Sequence, residues 1–196
     1  VPQPNWRDDL RDFKKLGRPR LFFAITGGSM DSMVNHYTAN RRRRSNDAYT
    51  PDGRPDMRPD RCVTVYAQIL RQLYPNVPLI IGGIEASMRR LTNYDSWDDT
   101  LHPSILVDTH ADLLIYGMGE KPMKELLHLL KKGVPFSNMN SIPQTAYLVP
   151  KGHVPKNRDM QDLVLPSYED CLANKRTQFD AYRKTEIETN RIHARR

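Results

Sequence analysis

The chain has 196 residues, an apolar fraction of 38 %, a charged fraction of 27 % and a formal net charge of +7. That length suggests one domain with an appendage, and the composition is wet and basic for an α/β enzyme without being that of a disordered chain. No apolar run approaches the roughly 20 residues that span a bilayer, no charged-then-apolar signal peptide opens the chain, and Cys62 and Cys171 lie far apart in helical patterns. The reading is a cytoplasmic protein with reduced thiols, not a disulfide framework.

Taken in chain order, the residues before Trp6 read as the exit of an element. Arg20–Thr26 is the first strand, with an unbroken apolar run from Leu21 to Ile25. Gly27–Gly28 ends it, and Ser29 or Asp31 can cap a short helix carrying Met30, Met33, Val34 and Tyr37. A polar stretch from Asn40 to Arg58 comes next, holding Arg41–Arg44 and the turn-forming Pro51–Pro55. Pro59 suits the first turn of a helix whose Cys62, Val63, Tyr66, Leu70 and Leu73 share one face. The second strand is Val77–Ile81. After Gly82–Gly83 the pattern is irregular through Trp97. A short helix from about Pro103 to Asp108 leads to the third strand, Leu113–Tyr116. The next helix runs from about Lys121 to Lys132, with Met123, Leu126, Leu127 and Leu130 inward and Gly133 as its stop. Thr145–Val149 reads as an edge strand beside prolines. From Ser167, capped with Asp170, one long and thinly apolar helix carries Tyr168, Leu172, Phe179, Tyr182 and Ile187 to the end of the chain.

Two strands end alike, in Gly82–Gly83 and in Gly117–x–Gly119–Glu120. A continuous apolar run is the mark of a strand covered on both faces, and glycine past its carboxyl end permits a sharp turn and close approach. The pattern predicts an α/β fold: a small parallel Rossmann-like sheet with helices on both faces, plus a long C-terminal helix. Open sheets of this class place ligands at the carboxyl ends of their strands. Gly27, Gly28, Ser29, Asp31, Gly82, Gly83, Glu85, Ser87, Gly117, Gly119 and Glu120 are therefore the candidate cofactor-binding residues. The alternative is that the glycines make tight turns and the polar groups cap helices. Glu85, Tyr94, Asp95, Trp97, Asp98 and Asp99 read either as a functional loop or as one packed by its own aromatics. His36, His102 and His110 show no metal-ligand spacing and receive no ligand role. Arg41–Arg44 and the Arg191–Arg196 terminus could contact phosphates, but no aromatic platform is interleaved with them. They read as a solvated loop and a solvated helix end.

Longer strings carry more information. Residues 21–39, 80–91, 94–97, 104–108 and 111–117 resemble the YgiQ family of radical SAM proteins, across most of the chain. The resemblance implies the cobalamin-binding-like region that precedes a catalytic barrel, with Gly82, Gly83, Ala86, Gly117, Gly119 and Glu120 at the strand-end positions. The family's Cys-x-x-x-Cys-x-x-Cys motif is absent, and so is the Asp-x-His-x-x-Gly string of cobalamin domains that ligate through histidine. Two cysteines cannot supply the three thiolates of such an iron–sulfur site. The chain therefore reads as a fragment, with residues 1–166 a truncated α/β domain and 167–196 a helical linker toward an absent radical SAM barrel.

The resemblance also implies an accessory domain, not catalytic by itself. The 4Fe–4S cluster and S-adenosylmethionine are expected only in the intact protein, whose barrel would be the domain's partner. Family members begin with a further strand–helix–strand unit. In the order 2-1-3-4-5 its first strand would sit between the second and third, so its absence would leave one side of Arg20–Thr26 unpaired and open to self-association. The alternatives are a stand-alone module for a nucleotide or cobalamin-like ligand and, more weakly, an RNA-contacting domain.

Overall fold

The structure is a computed structural model that describes residues 1–154 and 162–191. Its elements in chain order are α1 (Arg11–Lys14), β1 (Phe23–Thr26), α2 (Ser32–His36), α3 (Cys62–Leu73), β2 (Leu79–Gly82), α4 (Gly83–Met88), β3 (Asn93–Asp95) and β4 (Thr100–His102). They continue with α5 (Ile105–Thr109), β5 (Leu113–Ile115), α6 (Glu120–Lys131), β6 (Thr145–Ala146), α7 (Tyr168–Ala173) and α8 (Lys175–Thr189). The chain forms two compact units. One comprises Val1–Asn93 and Ser104–Leu148; the other comprises Tyr94–Pro103 and the described residues from Val149 onward.

The first unit holds a four-stranded sheet in the order β1-β2-β5-β6. β1 and β2 are parallel, with Phe23 opposite Leu79 and Thr26 opposite Gly82. β2 and β5 are parallel through Ile80–Leu113 and Ile81–Leu114. β6 closes the far edge antiparallel to β5, where the short Thr145–Ala146 segment between prolines was expected to lie. Both parallel connections run through helical segments, as parallel neighbours require. β1 is the other edge, its outer side carrying no strand among the described residues.

Alternation along the strands divides the interior into two cores. Leu79, Ile81 and Leu114 join Ile25, Cys62, Val63, Tyr66, Leu70, Ile105 and Leu106 on the face covered by α1, α3 and α5. Ile80, Leu113 and Ile115 join Leu126, Met139 and Ile142 on the face covered by α6. Each of these fully buried aliphatic side chains is worth about 1.5–3 kcal/mol relative to exposure. In β2 and β5 the continuous apolar runs thus have the expected cause, both faces being covered; β1 buries Ile25 but exposes Ala24 and Thr26. At the amino end of the sheet, Asp112 accepts from the Leu79 N–H at 2.8 Å and from Arg71 Nη2 at 2.5 Å. Arg71 also donates to the carbonyls of Val77 and His110. One guanidinium therefore gathers the entries of β2 and β5.

Several expectations shift. The first strand starts at Phe23, because Leu21 is exposed and outside the ladder. A short helix, α1, precedes it, docked by Phe13 against Tyr66 with ring centroids 5.6 Å apart. α6 presents Pro122, Met123, Leu126, Leu129 and Leu130 inward, while Leu127 is 37 % exposed. Gly133, at φ +76°, ends that helix as expected. The stretch after Gly83 is not irregular: it opens with α4.

In the second unit, β3 and β4 pair as a two-stranded sheet, and the Tyr168 hydroxyl donates to the Leu101 carbonyl at 3.1 Å. Ser167 and Asp170 form the expected capping box. The single long helix is instead two, broken at Asn174, whose backbone is extended and whose side chain accepts from the Arg176 N–H. Asparagine favours such capping over helix interior because its amide competes for backbone groups. No described helix is long and apolar enough to cross a membrane.

Candidate functional site

The topology brings the predicted rim residues to the carboxyl ends of β1, β2 and β5, and the glycines there serve close backbone packing. Gly83 has φ +82°, and a Cβ on it would lie 2.5 Å from Thr26 Oγ1 and 3.0 Å from the Gly28 carbonyl. The adjoining Ile84 N–H donates to that carbonyl at 3.1 Å, and the Gly28 N–H donates to Thr26 Oγ1 at 3.0 Å. A Cβ on Gly82 would approach the Ile115 carbonyl at 3.2 Å. Ser87 stitches the third strand end: its hydroxyl donates to the Gly83 carbonyl at 2.7 Å and accepts from the Gly117 N–H at 3.2 Å. Gly28, Ser29, Gly117 and Glu120 face solvent, and Gly119 is half-buried at the start of α6. Glu120 lies in the first turn of that helix, where the partial positive charge already has an anion beside it.

Beneath the rim is a polar layer. Glu85, in the first turn of α4, is fully buried. Its Oε1 accepts from the Val63 N–H and its Oε2 from the Cys62 thiol, both at 3.2 Å. Burial pushes the Glu85 carboxyl above its ordinary value. Burial, then the adjacent Glu85, pushes the Cys62 thiol up to about 12. A carboxyl raised by burial and an un-ionised thiol therefore share this space, with the Gly27 backbone laid against both. A Cβ on Gly27 would come within 3.3 Å of Cys62 Sγ and of Glu85 Oε2. Asp31 caps α2 through the Met33 N–H and pairs with Arg89 at 2.5 Å, fastening the first strand end to α4.

The same layer continues into residues that read as a polar loop. His36 is buried; its Nδ1 meets Asp60 at 2.8 Å and its Nε2 lies 3.8 Å from Asp47. The Tyr37 hydroxyl donates to Asp60 at 2.9 Å, and buried Arg58 pairs with Asp47 at 3.0 Å. Burial alone would raise the Asp47 carboxyl, but the Tyr49 N–H, Asn35 and Arg58 outweigh it and hold it low. Residue spacing did not foreshadow Asp47 and Arg58 as interior groups, or the half-buried Asp60 as the partner of His36, because their partners lie 11 to 24 positions away. α3 opens at Cys62 with Arg61 as its N-cap, so Pro59 lies before the helix and not, as expected, in its first turn.

The other singled-out residues fall elsewhere. Tyr94, Asp95, Trp97, Asp98 and Asp99 belong to the β3–β4 segment of the second unit, whereas Glu85 belongs to the first. Asp95, Asp98 and His102 bring one ligand atom each within 4.8 Å of one another, with His102 Nε2 2.9 Å from Asp98. Arg43 and Arg7 both engage Asp56, the latter at 2.8 Å, and Arg44 Nε donates to the Tyr37 carbonyl. Of the basic terminus only Arg191 lies within the described residues. Cys62 and Cys171 are both buried, with raised thiol values, and fall in different units. They do not fit a cluster that needs three ionised thiolates.

Residues 1–196 match the family described as Radical SAM N-terminal. A UPF0313 protein of Porphyromonas gingivalis is 61 % identical over 196 residues, 100 % of this chain and 31 % of the relative. One from Bacteroides thetaiotaomicron is 56 % identical over 207 residues, covering 100 % of this chain and 33 % of the relative. A third, from Geobacter sulfurreducens, is 44 % identical over 190 residues, 97 % of this chain and 31 % of the relative. The chain spans about a third of the length of these curated relatives. No solved structure matches it significantly. Both the whole-chain match and the strand-end strings lead to one assignment: the chain belongs to the radical SAM N-terminal family.

Proposed function

We propose that this domain is the non-catalytic accessory part of a cytoplasmic radical SAM protein, and that it covers and shapes access to a catalytic barrel carried by the rest of the full-length protein. On this reading the barrel holds a 4Fe–4S cluster that cleaves S-adenosylmethionine reductively, and this domain supplies neither cluster ligands nor reacting groups. The observation that carries the reading is the combination of a whole-chain N-terminal family match with two buried, neutral thiols that fall in different units. Its own polar residues support the same division of labour. Asp31 and Ser87 are spent on fastening strand ends and Glu85 on holding the start of α3, as scaffold groups are.

Anaerobic reconstitution with iron and sulfide tests this. The 196-residue chain is expected to bind no stoichiometric cluster and to leave S-adenosylmethionine intact, whereas the protein at the full length of its relatives is expected to bind about four irons in a three-cysteine site. Four irons on the 196-residue chain, or none on the full-length protein, would overturn the proposal. A second reading, a nucleotide or cobalamin-like ligand at the rim, draws on the solvent-facing Gly28, Ser29 and Gly117. It has to accommodate the carboxylate of Glu120 at the helix start, which opposes a phosphate there. Ligand absorbance retained through gel filtration distinguishes it.

A further inference from the structure

α8 is turned the wrong way for a helix that only has its own unit to cover. Its inward positions are small or polar: Ala181 is buried, and Thr185 and Gln178 are half-buried. Its large apolar side chains point outward, with Phe179 54 %, Tyr182 61 % and Ile187 52 % exposed. An isolated amphipathic helix puts the apolar stripe on the core side. Large aromatic side chains turned outward side by side, as Phe179 and Tyr182 are at i, i+3, are the informative exception and mark an interaction surface. Its composition is that of an interface centre. Aromatic residues and arginine are enriched there, and the Arg176 guanidinium sits 5.6 Å from the Phe179 ring centroid.

We propose that this face of α8 docks the polypeptide that continues beyond the domain in the full-length relatives, with Phe179 and Tyr182 as anchors. The inference rests on the accessory-domain reading and gives it a surface. The family region is the N-terminal one, the chain accounts for 31 % of the Porphyromonas gingivalis relative, and α8 is the last described element. The size of the patch selects the occupant. Three side chains fall well short of the roughly 800 Å² per partner that a stable separate complex uses. A covalently attached partner needs less, because tethering supplies an effective concentration on the order of millimolar. Arg176 is already paired with Asp180 at 3.6 Å, so the face selects its occupant by apolar contact and not by charge.

Hydroxyl-radical footprinting read by mass spectrometry tests this, comparing the 196-residue chain with the protein at the full length of its relatives. Labelling of Phe179 and Tyr182 is expected to fall about fivefold in the longer protein, as when a half-exposed side chain enters a water-excluded interface centre. Tyr49, 50 % exposed in the other unit, serves as the reference and is expected to keep its rate. Phe179→Glu in the longer protein is expected to return Tyr182 to the rate of the 196-residue chain. Equal labelling in both lengths overturns the proposal, and so does protection in the 196-residue chain that grows with concentration, which would make a second copy the occupant. Iron content measured on the same samples keeps the two claims apart: a longer protein without a cluster but with a protected Phe179 defeats the accessory reading and leaves this face an intramolecular interface.

Discussion

Replacing Gly83 with alanine examines the rim at its tightest point. The new Cβ would sit 2.5 Å from Thr26 Oγ1 and 3.0 Å from the Gly28 carbonyl, on a residue held at φ +82°. An L-residue in the left-handed region costs roughly 1–2 kcal/mol. Relieving the clash must lengthen the Ile84 N–H to Gly28 carbonyl bond, now 3.1 Å, which forfeits about 0.5–1.5 kcal/mol. The sum is a destabilisation of about 3 kcal/mol, and unlike a surface change it involves two strand ends at once. Urea unfolding at 25 °C, followed by circular dichroism, measures it as a fall in midpoint at unchanged slope. Thr26→Ala supplies the control: it removes the nearest atom but not the backbone strain, so in that background the cost should drop by about 1 kcal/mol through coupling. A Gly83→Ala variant within about 0.5 kcal/mol of the parent, or strict additivity with Thr26→Ala, would show that the glycine is not there for packing between β1 and α4. The rim would then be open enough for the close approach of a ligand.

The remaining predictions concern the layer below and the sheet edge. Because burial raises Glu85 in the folded state, its contribution to stability is complete below the ordinary carboxylate range and is lost as pH rises through the raised folded value; Glu85→Gln should flatten that loss, and an unchanged pH profile would disprove a buried neutral acid. With its thiol pushed up to about 12, Cys62 has a thiolate fraction on the order of 10⁻⁴ at pH 8. It should resist iodoacetamide in the native chain and react once urea unfolds it; rapid native alkylation, located by peptide mass, would contradict its burial. The outer side of β1 is expected to pair with a second copy of the chain, since an unpartnered edge is a template for strand addition; light scattering across a dilution series should show association, and a monomer at every concentration would dismiss the edge as an interface.

Some of this protein was legible in its residues alone. The runs Leu21–Ile25, Val77–Ile81 and Leu113–Tyr116 announced strands, and in the latter two the apolar positions are continuous because both faces are covered, whereas the edge strand β1 leaves Ala24 exposed. Cys62, Val63, Tyr66 and Leu70 announced α3, Gly133 its own helix stop and Ser167 a cap, since caps and periodicity are set by neighbours within one or two turns. What those local signals could not carry was any pairing over long separations. Whether Leu127 or Leu129 turned inward depended on where α6 met the sheet. That Glu85 faced Cys62 and Val63, that Asp47 and Arg58 were interior groups, and that half-buried Asp60 met His36 depended on the closing of a polar loop against α2 and α3. The outward turn of Phe179 and Tyr182 was decided the same way, by which face of α8 the fold covered. A charged residue has the same local signature whether it ends in water or beside a buried partner, and only the tertiary structure brings that partner to it.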